Sequence, residues 1–321
     1  MIDRQRIQQQ LNHCLTETHF ETLGKKYRGK VRDTYDLGDQ MLLITTDRQS
    51  AFDRILAAIP YKGQVLNQVS QYWFEHTADI IPNHVVSVPD PNVMIGKKCT
   101  VFPVEFVVRG FLTGVTSTAV WTAYQKGERQ FCGNTLPEGM VKNQAFAQPI
   151  ITPTTKSETH DEKISPAEIV DRGLMTQADW DFCAQAALRI FQRGQLLAKE
   201  HGLILIDTKY EFGKLPDGQI ILVDEVHTPD SSRYWLADTY AQKFAVGQEP
   251  DNIDKEFLRL WFMEHCDPYH DETLPEAPQA LVVELSARYI QLYEMITGKA
   301  FVYPDSAIPT EQRLQIAIKS L

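Results

Sequence analysis

The stretch LILIDTKYEFGKLPDGQIILVDEVHTPDSSR, residues 203–233, places five ionisable side chains where a β-hairpin needs a buried face: Asp207, Lys209, Glu211, Asp224 and Glu225. In a regular strand from Leu203 to Phe212, the period of two puts Asp207, Lys209 and Glu211 on one face, and Ile204, Ile206, Tyr210 and Phe212 on the other. A two-residue Asp217-Gly218 turn pairs Pro216 with Gln219, and in that register Glu211 with Asp224. Two facing carboxylates beside Lys209 suit a hard divalent cation that bridges phosphate oxygens. A three-residue Pro216-Asp217-Gly218 loop fits the same letters; it shifts the pairing by one and turns Asp224 away. Charges solvated on an open strand are the plain alternative. Against it, IILVDE barely alternates before its acids, as in a strand buried on both faces.

Other stretches carry compatible chemistry. In TPDSSR a Thr228-Pro229-Asp230 turn precedes the hydroxyls of Ser231 and Ser232 and the guanidinium fork of Arg233, a mixture suited to phosphate or carboxylate. In YRGKVRDTYDLG, Gly29 followed by Lys30 and Arg32 can lay backbone N–H groups and cations over a polyphosphate, although neither a Walker loop nor G-x-G-x-x-G occurs. PVEFVVRGFLTG reads as an apolar strand ending in Arg109-Gly110, able to connect two lobes across a nucleotide cleft. TPTTKSETHDEKIS bears Lys156, His160, Asp161 and Glu162; with no second histidine at helical ligand spacing, no zinc site is expected. TTDRQSAFDRILAAIPYKGQ sets Asp47, Arg48, Ser50, Asp53 and Lys62 near predicted strand ends. Each stretch alone also fits ordinary surface chemistry. Their order and joint content supply the parts of an ATP-dependent enzyme acting on a phosphorylated substrate.

The elements that must position these groups read as α+β. Residues 1–20 suggest a short amphipathic helix with Ile2, Ile7, Leu11 and Leu15 on one face. Tyr27 to Val108 reads mainly as strands, interrupted by a helix around VLNQVSQYWFEHTADI. TSTAVWTAYQKG predicts a helix ended by Gly127. Ser165, Pro166 and Glu168 spell a capping box, and Thr176 with Asp179 opens a long helix that closes at Gly202. Beyond the hairpin the chain is predicted to be mostly helical; the aromatic and apolar positions of 236–321 fit packing or a subunit contact, leaving a homo-oligomer open. The expected division is a β-rich lobe over 1–110 and an α+β lobe over 111–321.

At 321 residues the chain can bury a large core, and its formal net charge of -10 argues against nucleic acid or an anionic membrane as partner. Five scattered cysteines without a C-x-x-C pair, no membrane-length apolar run and no secretory core in MIDRQRIQQQLNHCL predict a cytoplasmic protein.

From about Tyr27 to Trp235 the string resembles the SAICAR synthetases of purine biosynthesis, through RGKVRD, TTDRQSAFD, IPYKGQVLNQ, PVEFVVRGFLTG, LPEGM, PIITPTTKSETHDE, DTKYEFG and DEVHTPDSSR. The resemblance implies a two-lobed, ATP-grasp-like fold with ATP in the cleft between lobes. It implies an ATP-dependent ligase joining carboxyaminoimidazole ribonucleotide (CAIR) to L-aspartate, with Mg²⁺ as cofactor. By similarity, Gly29, Lys30 and Arg32 cover the ATP phosphates, and the strand holding Val104 and Glu105 borders the adenine. Glu211 and Asp224 match the metal carboxylates with Lys209 beside them, while Lys156, His160 and Asp161 belong to the substrate-facing loop; Lys209, Lys156 and Asp161 are given a catalytic role. Arg109, Ser232, Arg233 and a serine near Ser117 match the ribonucleotide site, although VTSTAV after Gly114 departs from the usual pattern. Asp47, Arg48, Ser50 and Lys62 are candidates for aspartate by position alone. A small-molecule kinase and a non-catalytic nucleotide-binding module are the competing readings.

Overall fold

The computed structural model describes residues 2–52, 54–115, 119–156, 162–253 and 256–319. The chain forms two compact units, one of residues 1–72, 84–98 and 253–321, the other of 73–83 and 99–252.

The first unit carries helix α1 (Arg4–Gln9) and an antiparallel sheet. Its strands β1 (Lys26–Arg28), β2 (Arg32–Asp36), β3 (Gln40–Thr45), β6 (Val85–Asp90) and β7 (Val93–Lys97) lie in the order β1-β2-β3-β7-β6. A separate hairpin pairs β4 (Arg48–Ala51) with β5 (Arg54–Ala58). Alternate positions of β2 and β3 point inward, so Tyr35, Leu42 and Ile44 pack with Leu15, Val93, Ile95 and Leu314. Leu314 comes from α9 (Thr310–Lys319), which follows α7 (Glu256–His265) and α8 (Gln279–Thr297) in the same unit. Helix α2 (Lys62–Thr77) belongs to this unit up to Tyr72.

The second unit is built on β14 (Leu203–Lys214). Its sheet runs β12 (Gln144–Ile151), β9 (Val104–Leu112), β14, β15 (Ile220–Val223), with β8 (Thr100–Val101) and β16 (Ser232–Leu236) also paired to β14 and β13 (Thr154–Thr155) to β9. A small hairpin joins β10 (Gln130–Phe131) to β11 (Asn134–Thr135). Helix α3 (Val120–Gln125) ends before Gly127, whose φ of 92° stops the turn. At α4 (Pro166–Asp171) both halves of the Ser165–Glu168 capping box are made, a device worth about 1 kcal/mol. Thr176 caps α5 (Gln177–Glu200), while the Asp179 carboxylate pairs with Lys214. Helix α5 lays Cys183, Ala187, Ile190 and Phe191 on the sheet, and Trp180 stacks on Phe106 with ring centroids 4.8 Å apart. Helix α6 (Ala237–Ala245) follows β16. Among the described residues no helix is long and apolar enough to cross a membrane.

The β14–β15 register differs from the two-residue turn. Lys214 faces Ile220 and Glu211 faces Val223, so Pro216, Asp217 and Gly218 form a three-residue loop. Leu215 N–H donates to the Gln219 carbonyl, Gly218 N–H to that of Leu215, both at 2.9 Å, and Gly218 supplies a φ of 87°. Both turns want a left-handed Gly218, but a two-residue type I′ turn also needs positive φ at Asp217, which Asp217 does not adopt.

Candidate active site

In the second unit one ammonium gathers three carboxylates. Lys209 Nζ lies 3.1 Å from Glu105 Oε1 and 3.3 Å from Asp224 Oδ2, and it pairs directly with Glu211 Oε1. The Lys156 ammonium, on a half-exposed side chain just past β13, takes the other Glu211 oxygen. Lys209 and Glu211 share a face of β14 because they are two apart; Glu105 comes from β9, the neighbouring strand. Burial alone would push the Lys209 ammonium down, but Asp224, Glu211 and Glu105 hold it well above its ordinary value.

Asp224 reaches this cluster by a route the strand pattern does not contain. With Glu211 opposite Val223, a continued strand would direct residue 224 away. Instead β15 stops at Val223 and Asp224 takes a φ of 67°. The left-handed turn returns its carboxylate to Lys209. His227, three residues on, also has positive φ (49°) and is fully buried, its ring pairing with the Tyr210 hydroxyl and lying edge-on to Trp73 at 4.6 Å.

A second ionic group runs across three adjacent strands. Asp207 on β14 faces Arg109 on β9 and Arg233 on β16 in direct register. Arg233 Nε donates to Asp207 Oδ1 at 3.0 Å while its Nη2 takes Oδ2, and Arg109 Nη1 approaches Oδ2 at 3.4 Å. Burial raises the Asp207 carboxyl, yet the two guanidinium groups outweigh it and hold the group below the usual carboxylate range. Arg109 is further fixed by Thr152 Oγ1 at 2.9 Å, and the Ser232 hydroxyl donates to Thr208 Oγ1 at 2.7 Å. Ser231 and the turn before it fold onto Thr228 through its hydroxyl. The arrangement presents two oriented guanidinium forks with one carboxylate between them, suited to an anion.

The glycine-basic segment lies in the first unit. Gly29, Lys30 and Val31 link β1 to β2, where Arg32 begins; Lys30 is exposed. Asp47, Arg48 and Lys62, read as aspartate candidates by position, are buried at 4%, 1% and 0% exposure. Asp47 accepts the N–H groups of Leu15 at 2.8 Å and Gly63 at 2.9 Å. Burial pushes its carboxyl up to about 6, against those two donors and the Lys62 and Arg313 cations. Arg48 donates to the carbonyls of Gly29, Lys30 and Thr16 and to Asp33. The Lys62 ammonium sits 5.9 Å above the Tyr289 ring centroid. Ser50 lies on β4. Ser117, His160 and Asp161, like Asp53, lie outside the described residues.

Over residues 25–275 the sequence matches the family profile described as SAICAR synthetase. The chain belongs to the SAICAR synthetase family. It is 64% identical over 301 residues to the phosphoribosylaminoimidazole-succinocarboxamide synthase of Legionella pneumophila (strain Lens), covering 94% of this chain and 96% of that one. It is 58% identical over 310 residues to the chloroplastic protein of the same name from Arabidopsis thaliana, covering 95% and 74%. Among solved structures, the SAICAR-synthase from Saccharomyces cerevisiae complexed with SAICAR superposes with a TM-score of 0.78 at 33% identity, over 90% of this chain and 100% of that one. The mixed α/β fold is thus the SAICAR synthase fold.

For a SAICAR synthetase, the hairpin and the two arginines carried the clearest signal in the letters. Asp207 was visible as a hairpin acid, but its place between Arg109 and Arg233 depends on β16, which the turn-like TPDSSR concealed. Glu105, expected beside the adenine, also turns its carboxylate to Lys209. Val104 is buried on the same strand, in register with Thr155. Among the described residues no group of three or more His, Cys, Asp or Glu side chains is placed to hold a metal ion. Glu211 and Asp224 are a pair of carboxylates, a donor set that is chemically compatible with a hard divalent cation.

Proposed function

We infer that this chain is an ATP-dependent carbon–nitrogen ligase that joins CAIR to L-aspartate, giving SAICAR, ADP and phosphate. The observation that supports it most is the convergence of Glu211, Asp224 and Glu105 on Lys209, two residues along β14 from the Arg109–Asp207–Arg233 row. One strand thereby brings a cation-binding group beside an anion-binding group, as a nucleotide and a phosphorylated substrate together require.

The chemistry follows from a poor leaving group. A carboxylate does not accept an amine directly. Transfer of the γ-phosphoryl group to a CAIR carboxylate oxygen gives an acyl phosphate and ADP; the aspartate amine then attacks the acyl carbon, the C–N bond forms, and phosphate departs with the former carboxylate oxygen. Transfer of this kind relies on positioning and charge neutralisation. Glu211 and Asp224 would hold Mg²⁺, which supplies positive charge to the phosphate oxygens when bound. Lys209 keeps these carboxylates from repelling one another and offers its ammonium to the transferring group. Lys156 approaches from the β13 side through Glu211. Arg109 and Arg233, oriented by Asp207, hold the ribonucleotide, with Ser232 and Ser117 nearby in sequence or strand. Gly29, Lys30 and Arg32 cover the ATP phosphates, Val104 and Glu105 border the adenine, and His160 and Asp161 belong to the substrate loop. The five free cysteines support a reducing, cytoplasmic setting.

The deciding experiment is ADP release by the purified protein with Mg-ATP and CAIR, with and without L-aspartate. Release that requires aspartate, with SAICAR formed, is expected. Release indifferent to aspartate, with a stable phosphorylated product, identifies a kinase; a folded protein that binds ATP without turnover is a binding module.

A further inference from the structure

We propose that Arg48, together with Thr46, is a positioning residue that shapes the phosphate-covering segment from behind, and that it does not receive substrate. The proposal rests on the reading of Gly29–Arg32 as the segment over the ATP phosphates.

Three successive carbonyls of that segment point to one short stretch of chain. Arg48 Nη2 donates to the Gly29 carbonyl at 2.9 Å and Nε to that of Lys30 at 3.2 Å. The Val31 carbonyl accepts from Thr46 twice, from N–H at 2.9 Å and from Oγ1 at 2.8 Å. No described peptide bond is cis. In a trans peptide the C=O and the following N–H point in opposite directions. Holding carbonyls 29, 30 and 31 therefore turns the N–H groups of Lys30, Val31 and Arg32 each away from the donor that holds its preceding carbonyl. Fixing the peptide planes of such a segment fixes the directions of the N–H groups it can offer to phosphate oxygens.

The clamp is itself anchored. Arg48 Nη1 takes the Thr16 carbonyl, and Nη2 also reaches Asp33 Oδ1 at 2.9 Å. Asp33 is fully buried and accepts from Thr18 N–H at 2.8 Å and Thr18 Oγ1 at 3.0 Å, with Lys26 Nζ at 3.2 Å. Its charge compensates the guanidinium, which is only 1% exposed. Arginine suits this place because its donors spread across a rigid plane; a lysine ammonium cannot reach three carbonyls and a carboxylate from one point. The same bonds give Arg48 no reason to face aspartate.

The test uses the full-length protein and measures Mg-ATP affinity, the KM for aspartate and thermal stability for Arg48→Lys, Thr46→Val and Lys30→Ala. Arg48→Lys is expected to weaken Mg-ATP roughly tenfold or more in the folded fraction while the KM for aspartate stays within about twofold, by analogy with the loss of one or two positioned hydrogen bonds. Thr46→Val, which removes one donor and keeps the N–H, should give a smaller loss of the same kind. Unchanged Mg-ATP affinity in Arg48→Lys, or a raised KM for aspartate alone, overturns the proposal. Should Arg48→Lys fail to fold, unchanged Mg-ATP affinity in Thr46→Val overturns it instead. Unchanged affinity in Lys30→Ala removes the Lys30 ammonium from the phosphate site, and unchanged affinity in both Lys30→Ala and Arg48→Lys overturns the reading of the segment itself.

Discussion

Asp224 reaches Lys209 only because its backbone turns left-handed: φ is 67°, and Oδ2 stands 3.3 Å from the ammonium. Asparagine tolerates that conformation better than most residues. Asp224→Asn should therefore keep the fold and melt close to the wild type, while turnover drops by roughly 100-fold or more, the scale of losing one charged contact to a developing transition state. Steady-state rates beside a melting curve check both halves; near-normal turnover would remove Asp224 from the metal site.

Lys209 is the cation shared by Glu105, Glu211 and Asp224. Lys209→Met leaves the three carboxylates without it, a loss of roughly 3 kcal/mol for a broken buried pair. Because Mg²⁺ can take the ammonium's place, the melting temperature of the variant should rise with added Mg²⁺ more steeply than that of the wild type. A variant insensitive to Mg²⁺ would separate the carboxylates from metal binding.

Asp207 fixes both arginine forks, so Asp207→Asn should raise the KM for CAIR roughly tenfold and leave that for ATP nearly unchanged. It should also change the acid limb of stability. A carboxyl held below its unfolded value stabilises the fold above about pH 4 and loses that contribution as pH falls through the folded value. Denaturation measured from pH 7 to pH 3 should accordingly show a shallower decline for the variant.

Asp47 has the opposite sign. Its carboxyl titrates at about 6 in the folded chain against 3.8 for the unperturbed group, so the folded protein holds the proton more tightly. Stability from this group is greatest below about pH 4, falls as pH rises to about 6, and is flat above. The stability difference between the wild type and Asp47→Asn should shift by roughly 2 kcal/mol in favour of the wild type between pH 7 and pH 4. A difference independent of pH would show that Asp47 does not titrate in this window.

Much of the fold could be read from local rules. The capping box at Ser165, the Thr176 cap and the shared face of Lys209 and Glu211 on β14 each follow from neighbours a few residues apart. The site was legible as an inventory: Lys209, Glu211, Asp224, Arg109 and Arg233 were all marked by residue type and motif. What the letters withheld was non-local or depended on a backbone reversal. The three-residue loop and the two-residue turn both suit Pro-Asp-Gly and both use a left-handed Gly218; they differ in the backbone of Asp217. No side-chain pattern announces a positive φ at an aspartate following an apolar strand. Arg48 illustrates the remaining gap: a guanidinium beside a strand end reads the same whether it faces a ligand or the carbonyls of its own chain, and only its hydrogen-bond partners distinguish the two.

The ordering of charges along β14 has a further consequence. Around Asp207 two guanidinium groups against one carboxylate leave a positive excess. Around Lys209, two ammonium groups against three carboxylates leave a negative excess. Two residues of strand separate these centres, about 7 Å. The strand thus acts as a polarity gauge: a molecule with its own charge separation, anionic at one end and cation-bearing at the other, fits in one direction and is repelled in the reverse. Exchanging Arg and Asp along the row would keep opposite charges in register but set two carboxylates against one guanidinium, so both centres would carry a negative excess and the gauge would be lost while the pairing remained.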